Sequence, residues 1–405
     1  MKTHRNVAHA LLRAVSALLP TPSSFATKGF DMSLDTARRS ACAAFRSAII
    51  FGLALSAGVA LAQTGLPRYE PDPYWPKPLP NNWMLGEVSG VAIDSHDHIW
   101  IIHRPRTLTD HDRYGAEEKA DCCAPAPAVI EFDQAGNVMQ AWGGPGAGFE
   151  WPDNEHGIFV DAKDNVWVGG NGDKDAQILK FTSAGKFLLQ IGHHGQSQGS
   201  NDKQNLGRPA GLVVWAPTNE LFVADGYANR RVIVFDADTG TYKRHWGAYG
   251  NKPDDSAPRT RLFEGPGSPQ FNLVHGLRVS NDGMVYVGDR VNNRVQVFRL
   301  DGTFVKETYI ERRTQATEGT AFDVAFSPDK AQRFFFVPDG SNKKIQIVDR
   351  QTLETVGFLG GHGGHGAAEF YHIHSIATDS KGNIYLGEVN AGRRALRWNY
   401  KGTTK

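Results

Sequence analysis

The segment VHGLRVSNDGMVYVGDRVNNRVQVFRL, residues 274–300, decides the fold of this 405-residue chain. Apolar stretches alternate in it with turns rich in Asn, Asp and Gly, which is the pattern of short antiparallel strands. Its inner half recurs six times, beginning at residues 88, 155, 209, 274, 321 and 373, and outer halves of similar design follow. Four short strands per repeat, spaced by roughly 45 to 65 residues, predict an all-β, six-bladed β-propeller.

The last repeat ends in RALRWNY, residues 394–400, and lacks a closing strand. We expect the segment near residues 65–85 to supply it, because a ring closed by both chain ends leaves no free sheet edge. No helical periodicity is sustained anywhere, so helices should be minor. Residues 63–405 are therefore predicted to form one propeller domain. Its longer inserts, at 104–128, 196–208 and 250–270, are expected to wall a mouth of the central channel.

The first part of the chain, residues 1–62, is predicted to be an N-terminal extension followed by a signal peptide. An apolar run at 48–62 follows several arginines and ends in Ala60-Leu61-Ala62, a small-residue cleavage site. The protein is thus expected to be exported, periplasmic or secreted, without stable membrane insertion after cleavage; a retained N-terminal anchor is the alternative. Met32 would begin a signal peptide of ordinary length, so translation from Met1 and from Met32 both stay open.

The charge balance is nearly even, with 44 Lys plus Arg against 43 Asp plus Glu. A chain without basic excess is not expected to bind nucleic acid, and its partners should be small molecules or short peptides. We expect a monomer.

Two of the three cysteines, Cys122 and Cys123, are adjacent in an insert. An exported protein permits a vicinal disulfide there, but an exposed loop pair is the favoured interpretation.

One repeat position holds histidine in every second blade. Aligned inner strands place there Ser89, His156, Ala210, His275, Phe322 and His374. Alternate blades of a six-bladed ring lie about 120° apart, so three imidazoles can converge and leave a fourth position open, as in catalytic zinc sites. The alternative is three polar side chains facing a hydrated channel. Strict alternation favours the metal site, with zinc, iron and copper as candidates.

Three non-repeating residues stand in the turns that follow the second strands of their blades: Arg104, Tyr227 and Arg290. A guanidinium suits a carboxylate, and a tyrosine beside a divalent cation can act as a base. The recurring Asp225, Asp289 and Asp339 are instead expected to tie their turns to backbone donors.

The turns DGYANRR at 225 and DRVNNRV at 289 make the repeat resemble the NHL class of six-bladed propellers. The ordered set His103-Arg104, His156-Gly157, Asp225-Gly226-Tyr227, His275-Gly276, Asp289-Arg290 and His374 resembles the active site of the peptidyl-α-hydroxyglycine α-amidating lyases. That resemblance implies a zinc enzyme that cleaves a carbinolamide to an amide and glyoxylate. It implies as zinc ligands His156, His275 and His374, as base Tyr227, and as carboxylate or oxyanion partners Arg104 and Arg290.

The sequence departs from that family at several positions. The cysteines that bracket the family's tyrosine and arginine turns are missing, and His372 replaces a methionine near the third histidine. The family also holds calcium with carbonyls that match Val91 and Ile158 and with an acid at the position of Ser375. Because serine replaces that acid, the resemblance does not carry over to calcium.

Two other functions fit the same fold. One is a metal-dependent hydrolase or lactonase; related propellers hold calcium with carboxylates and Asn, whereas this channel is rich in histidine. The other is an NHL-type binding platform without catalysis, since a fold does not imply a function.

Overall fold

The computed structural model describes residues 65–404, and six four-stranded antiparallel sheets form the blades of the propeller there. The predicted fold class, an all-β six-bladed β-propeller, is confirmed. Helices are minor as predicted, because the only ones in residues 65–404 are 3-10 turns of three residues each. None of the described helices is long and apolar enough to cross a membrane. The predicted signal peptide within 1–62 and the start at Met32 lie outside the described residues.

Strands run outward from the channel in each blade. In blades 1 to 3 they are Glu87–Ile93, Ile99–Arg104, Val129–Phe132 and Val138–Trp142; Glu155–Val160, Asn165–Gly170, Ile178–Thr182 and Phe187–Ile191; Leu212–Trp215, Glu220–Asp225, Arg231–Asp236 and Tyr242–Trp246. In blades 4 to 6 they are Val274–Val279, Met284–Asp289, Arg294–Arg299 and Phe304–Tyr309; Ala325–Phe326, Phe334–Asp339, Lys344–Asp349 and Thr355–Gly360; Ile373–Thr378, Ile384–Glu388, Ala395–Thr403 and Pro67–Asp72.

Three further features are outside the blades or between their strands. Trp83–Met84 pairs in parallel with Ala124–Pro125. The 3-10 turns are Pro80–Asn82, Pro105–Thr107, His111–Arg113, Ala216–Thr218, Ala248–Gly250, Arg290–Asn292 and Asn390–Gly392.

The ring closes through the first strand of the described chain. Pro67–Asp72 pairs antiparallel with Ala395–Thr403, so that Tyr69 lies opposite Tyr400. Blade 6 therefore takes three strands from the end of the chain and its outer strand from the beginning, as predicted. This pairing covers an edge that would otherwise expose unpaired backbone groups.

Apolar side chains between adjacent blades hold the ring together. Between blades 3 and 4, Phe222, Trp246, Phe271 and Phe298 pack edge to face or tilted and are almost fully buried. Burial of each such ring contributes about 1.5–3 kcal/mol, and the edge-on geometry adds to it. Because this packing is rigid, it fixes where the innermost strands present their side chains to the channel.

A buried ion pair anchors the turn that carries Arg290. The Asp289 carboxylate accepts hydrogen bonds from the Asn272 backbone N–H, the Asn292 amide and Arg294 Nε, at 2.7, 2.7 and 2.8 Å. Both side chains of the ion pair are fully buried. The expected structural role of Asp289 is confirmed, and it places the next residue, Arg290, at the mouth of the channel.

The same device recurs in blade 3. Asp225 accepts hydrogen bonds from Asn229 and from Arg231 Nε, each at 2.8 Å, and also from a backbone N–H. Asp339 repeats the arrangement in blade 5, with an asparagine three residues later as the donor. In blade 3 the anchored turn presents Tyr227.

The adjacent cysteines differ from the favoured interpretation. The sulfur atoms of Cys122 and Cys123 are bonded to each other, so the pair is a vicinal disulfide rather than two free thiols. The pair nevertheless lies in an exposed loop, as predicted.

Candidate metal centre

Three imidazoles from alternate blades meet in the channel. The ring centroids of His156, His275 and His374 are 4.6 to 4.8 Å apart, and each residue is only 3% exposed. The structure thus brings together the three histidines that the repeat alignment selects. Of the described residues that could hold a metal ion, these form the one group that is buried throughout.

A backbone carbonyl of the following blade orients each imidazole. The Nδ1–H groups of the histidines in blades 2, 4 and 6 donate to the carbonyl oxygens of Ala210, Phe322 and Ser89, at 3.3, 2.6 and 2.7 Å. Because a carbonyl only accepts, these contacts assign the proton to Nδ1. Every Nε2 lone pair is then free for a metal ion, which is the usual outer arrangement of a histidine ligand.

The Nε2 atoms are close enough to share one ion. His275 Nε2 and His374 Nε2 are 3.1 Å apart, although neither carries a proton to donate. Two lone pairs at this distance repel each other unless a cation lies between them. Ligands of a tetrahedral zinc ion with Zn–N bonds of about 2.0–2.1 Å are separated by roughly 3.3 Å. The observed donor set therefore fits a three-histidine zinc site.

The surroundings keep these histidines neutral. Burial, followed by the positive charges of the neighbouring imidazoles and of Arg104 and Arg290, holds the pKa of each well below its ordinary value of 6.5. A metal ion requires the neutral imidazole. Proton competition for the site should therefore be weak near neutral pH.

The hydroxyl of Tyr227 lies against the open side of the histidine cluster. Its Oη is 3.0 Å from His156 Nε2 and 3.2 Å from His275 Nε2. The turn needs glycine before the tyrosine, because a Cβ at Gly226 would lie 2.0 Å from the Val274 carbonyl oxygen. Close packing of blades 3 and 4 thus brings this hydroxyl to the histidines.

Arg290 approaches the same hydroxyl from blade 4. Its Nη1 donates to Tyr227 Oη at 3.2 Å, its Nε donates to the Glu318 carbonyl oxygen at 2.7 Å, and its guanidinium stacks on Phe322 at 3.9 Å. The Glu318 carboxylate is 3.8 Å from Nη2 and is half-exposed. The guanidinium is therefore fixed in orientation, with little direct competition from a protein carboxylate.

Arg104 has a different environment. Its guanidinium donates to Glu87 Oε2 at 2.5 Å, to the Glu155 carbonyl oxygen at 2.8 Å and to Asn171 at 3.5 Å. Its charge still acts on His156 and His374, since it contributes to their lowered pKa values. The structure thus places Arg104 beside the centre but in an ion pair.

His372 packs on the outer side of the site. Its Nε2 lies 2.8 Å from Glu318 Oε2, and its ring contacts Phe322 edge to face. The imidazole lowers the pKa of Glu318 through this hydrogen bond. Sequence reasoning placed His372 near the centre but did not identify Glu318, which comes from the loop before blade 5.

His103, adjacent to Arg104, is a structural residue. Its Nδ1 accepts the Gly86 N–H at 3.1 Å and its Nε2–H donates to the Pro127 carbonyl oxygen at 2.9 Å. Both ring nitrogens are thus satisfied only in the neutral form. Burial is the main cause that lowers the pKa of His103 to about 4.

This buried histidine predicts a pH-dependent loss of stability. The unfolded chain takes up a proton at His103 below about pH 6.5, whereas the folded chain resists it until about pH 4, so stability is full above 6.5 and falls as the pH drops. Between about pH 7 and pH 5 this residue accounts for about 2 kcal/mol. Urea unfolding should show that His103→Gln loses about 2 kcal/mol less than wild type over that interval. The exposed His193→Gln should behave like wild type; equal losses in all three proteins would contradict the assignment.

Two other groups of acids and histidine are already satisfied by the protein. Asp94 accepts the backbone N–H groups of His96 and His98 and the Trp100 indole N–H. Asp175 accepts three backbone N–H groups in the same way. Both groups therefore have a structural explanation without a metal ion.

Comparison with known proteins agrees with this architecture. The NHL repeat family matches residues 271–298. The chain is 28% identical over 333 residues to peptidyl-glycine alpha-amidating monooxygenase A of Xenopus laevis, covering 80% of this chain but only 32% of that protein. It is 27% identical over 340 residues to peptidyl-alpha-hydroxyglycine alpha-amidating lyase 1 of Drosophila melanogaster, covering 79% of this chain and 58% of the relative. The chain thus carries an NHL repeat and is similar to amidating lyases.

Among solved structures, a streptogramin B lyase aligns with a TM-score of 0.48 at 13% identity, covering 83% of this chain and 98% of the other.

Proposed function

We propose that the chain is a zinc-dependent lyase that cleaves an α-hydroxy-amide with a free carboxylate, of the peptidyl-α-hydroxyglycine type, into an amide and glyoxylate. The observation that carries this proposal is the meeting of Tyr227 Oη with two histidine Nε2 atoms at 3.0 and 3.2 Å and with Arg290 Nη1 at 3.2 Å. A proton acceptor, a metal-ligand set and an anion-binding group are thus within contact of one another. Similarity to proteins named amidating lyases supports the same reaction class.

The metal would be held by the Nε2 atoms of His156, His275 and His374. Bound zinc supplies a Lewis acid that polarises the substrate's hydroxyl and carboxylate oxygens. The rest of the reaction falls to side chains of the chain itself. Burial of the site excludes bulk water, which strengthens each charge interaction within it.

Tyr227 is assigned the proton transfer. Its Oη accepts the proton of the substrate's α-hydroxyl group; the C–O bond becomes a carbonyl, the C–N bond breaks, and the nitrogen leaves with the electron pair. The same oxygen then returns the proton to nitrogen, which completes the amide. Because Arg290 Nη1 donates to Oη, it stabilises negative charge that develops there.

Arg290 is also assigned the recognition of the substrate carboxylate. It presents a planar donor fork, and its own Nε is already held by the Glu318 carbonyl oxygen. Arg104 is paired with Glu87, so its contribution is the positive potential that it adds to the site. An uncharged substrate would lose the contact with Arg290.

The proposed function predicts cleavage of α-hydroxyhippurate into benzamide and glyoxylate in equal amounts by the metal-replete protein. The methyl ester, which has no carboxylate, should be cleaved at least about tenfold more slowly, because a hydrogen bond to a charged group contributes about 1.5–3 kcal/mol. Glyoxylate is measured by a coupled assay. A protein with stoichiometric zinc that releases no glyoxylate would retain the metal centre but lose the proposed reaction, and hydrolysis of a lactone instead would favour the hydrolase.

A further inference from the structure

A second charged cluster lies in the channel next to the histidines. Arg278 extends from blade 4 and donates from Nη1 to the Leu277 carbonyl oxygen at 2.8 Å, and from Nη2 to Asp323 Oδ2 at 3.4 Å and the Ile376 carbonyl oxygen at 3.2 Å. Oxygen atoms of three blades thus surround one guanidinium. Such a set of carbonyl and carboxylate oxygens is what a calcium ion also prefers.

Asp323 needs this positive charge. Its carboxylate is buried and accepts hydrogen bonds from the backbone N–H groups of Val324 and Ile376, at 2.8 and 3.2 Å. Burial raises its pKa, and the charge of Arg278 acts against that rise. The repeat has Gly or Ser at this position in the other five blades, so Asp323 is the one acid that the aligned inner strands contribute here.

The guanidinium shares a cavity with the positions that the resemblance assigns to calcium. Val91, Ile158 and Ser375 line a cavity of about 30 Å³ together with Arg278 and Asp323. Leu277 and Ile376, whose carbonyls Arg278 binds, occupy the same repeat position as Val91 and Ile158. A calcium ion in this cavity would meet a fixed positive charge and a serine hydroxyl in place of an acid, so the residues present do not fit calcium.

We propose that Arg278 takes the place of a divalent cation in the channel, so that the propeller is held by an internal Arg278–Asp323 pair and is independent of calcium. The proposal rests on the channel geometry and not on the proposed reaction. Arg278 also lines a cavity of about 390 Å³ toward the opposite mouth. The pair therefore lies between that cavity and the histidine centre.

The test compares thermal unfolding in calcium-free buffer and with calcium at about 1 mM, within the range of weak extracellular calcium sites. Wild type should show the same Tm in both, and calorimetric titration should show no calcium binding. Arg278→Met leaves Asp323 buried and unpaired, so its Tm should fall by about 5 °C or more and recover at least partly on adding calcium. Arg278→Lys keeps the charge and should remain insensitive to calcium.

The double variant Arg278→Met/Asp323→Asn removes both charges. It should be more stable than Arg278→Met and should not respond to calcium. Calcium-dependent stabilisation of wild type, or an Arg278→Met protein that is as stable as wild type and insensitive to calcium, would overturn the proposal. If Arg278→Met does not fold, the wild-type titration and the double variant still decide, since a calcium-responsive double variant also contradicts it.

Discussion

Substitution of His275 by alanine is expected to remove the metal ion from the protein. His275 Nε2 lies 3.1 Å from His374 Nε2 and 3.2 Å from Tyr227 Oη, so it is the imidazole in contact with both. With two nitrogen ligands left, the site no longer encloses the ion, and affinity should fall by more than the about 10- to 100-fold that loss of an outer-shell partner alone costs. Metal analysis after dialysis should fall from about one zinc per chain to less than about a tenth.

The matched control is His245→Ala. His245 lies on the outer strand of blade 3, where it contacts Tyr242 and not the channel. This variant should keep its zinc. Full metal content in His275→Ala, with a folded β-sheet spectrum, would sink the three-histidine centre and favour a propeller that binds without catalysis.

The fold was predictable because a propeller repeats its local pattern. Each blade needs only short apolar strands and polar turns, and the same signals occur six times along the chain. The three histidines were predictable for the same reason, since they share one repeat position. Their tautomer also follows from that position, because Ser89, Ala210 and Phe322 occupy it in the other blades and supply the carbonyls.

Partners outside the repeat pattern were not predictable. Glu87 neutralises Arg104 although it lies near the start of the blade 1 inner strand, and Glu318 holds Arg290 from a loop. No periodicity relates these acids to the arginines that they contact. Their pairing depends on how the blades twist against one another, which a sequence pattern does not specify.

Blade 5 shows where a local interaction replaces the repeat. The pattern predicts an inner strand from residue 321, but the strand comprises only Ala325–Phe326. Asp323 directs its carboxylate to the N–H groups of Val324 and Ile376, which offers the backbone an alternative to the sheet ladder. Asp323 thereby reaches Arg278 in the channel.

Substitution of Tyr227 by phenylalanine separates metal binding from catalysis. The hydroxyl is within 3.2 Å of two histidine Nε2 atoms and of Arg290 Nη1, whereas the ring is held by packing that phenylalanine preserves. Zinc content and Tm should therefore stay close to wild type. Loss of a proton-transferring group typically costs about 10²- to 10⁴-fold, so kcat for glyoxylate release should fall by that factor with little change in KM.

Tyr242→Phe is the matched control, since its hydroxyl contacts only His245 on the outside of the same blade. It should retain wild-type kcat. If Tyr227→Phe instead loses zinc, the phenol acts as a metal ligand; if it keeps both zinc and kcat, proton transfer belongs to another group. A selective loss of kcat is the result that a merely structural tyrosine would not give, because packing defects would lower Tm and metal content together.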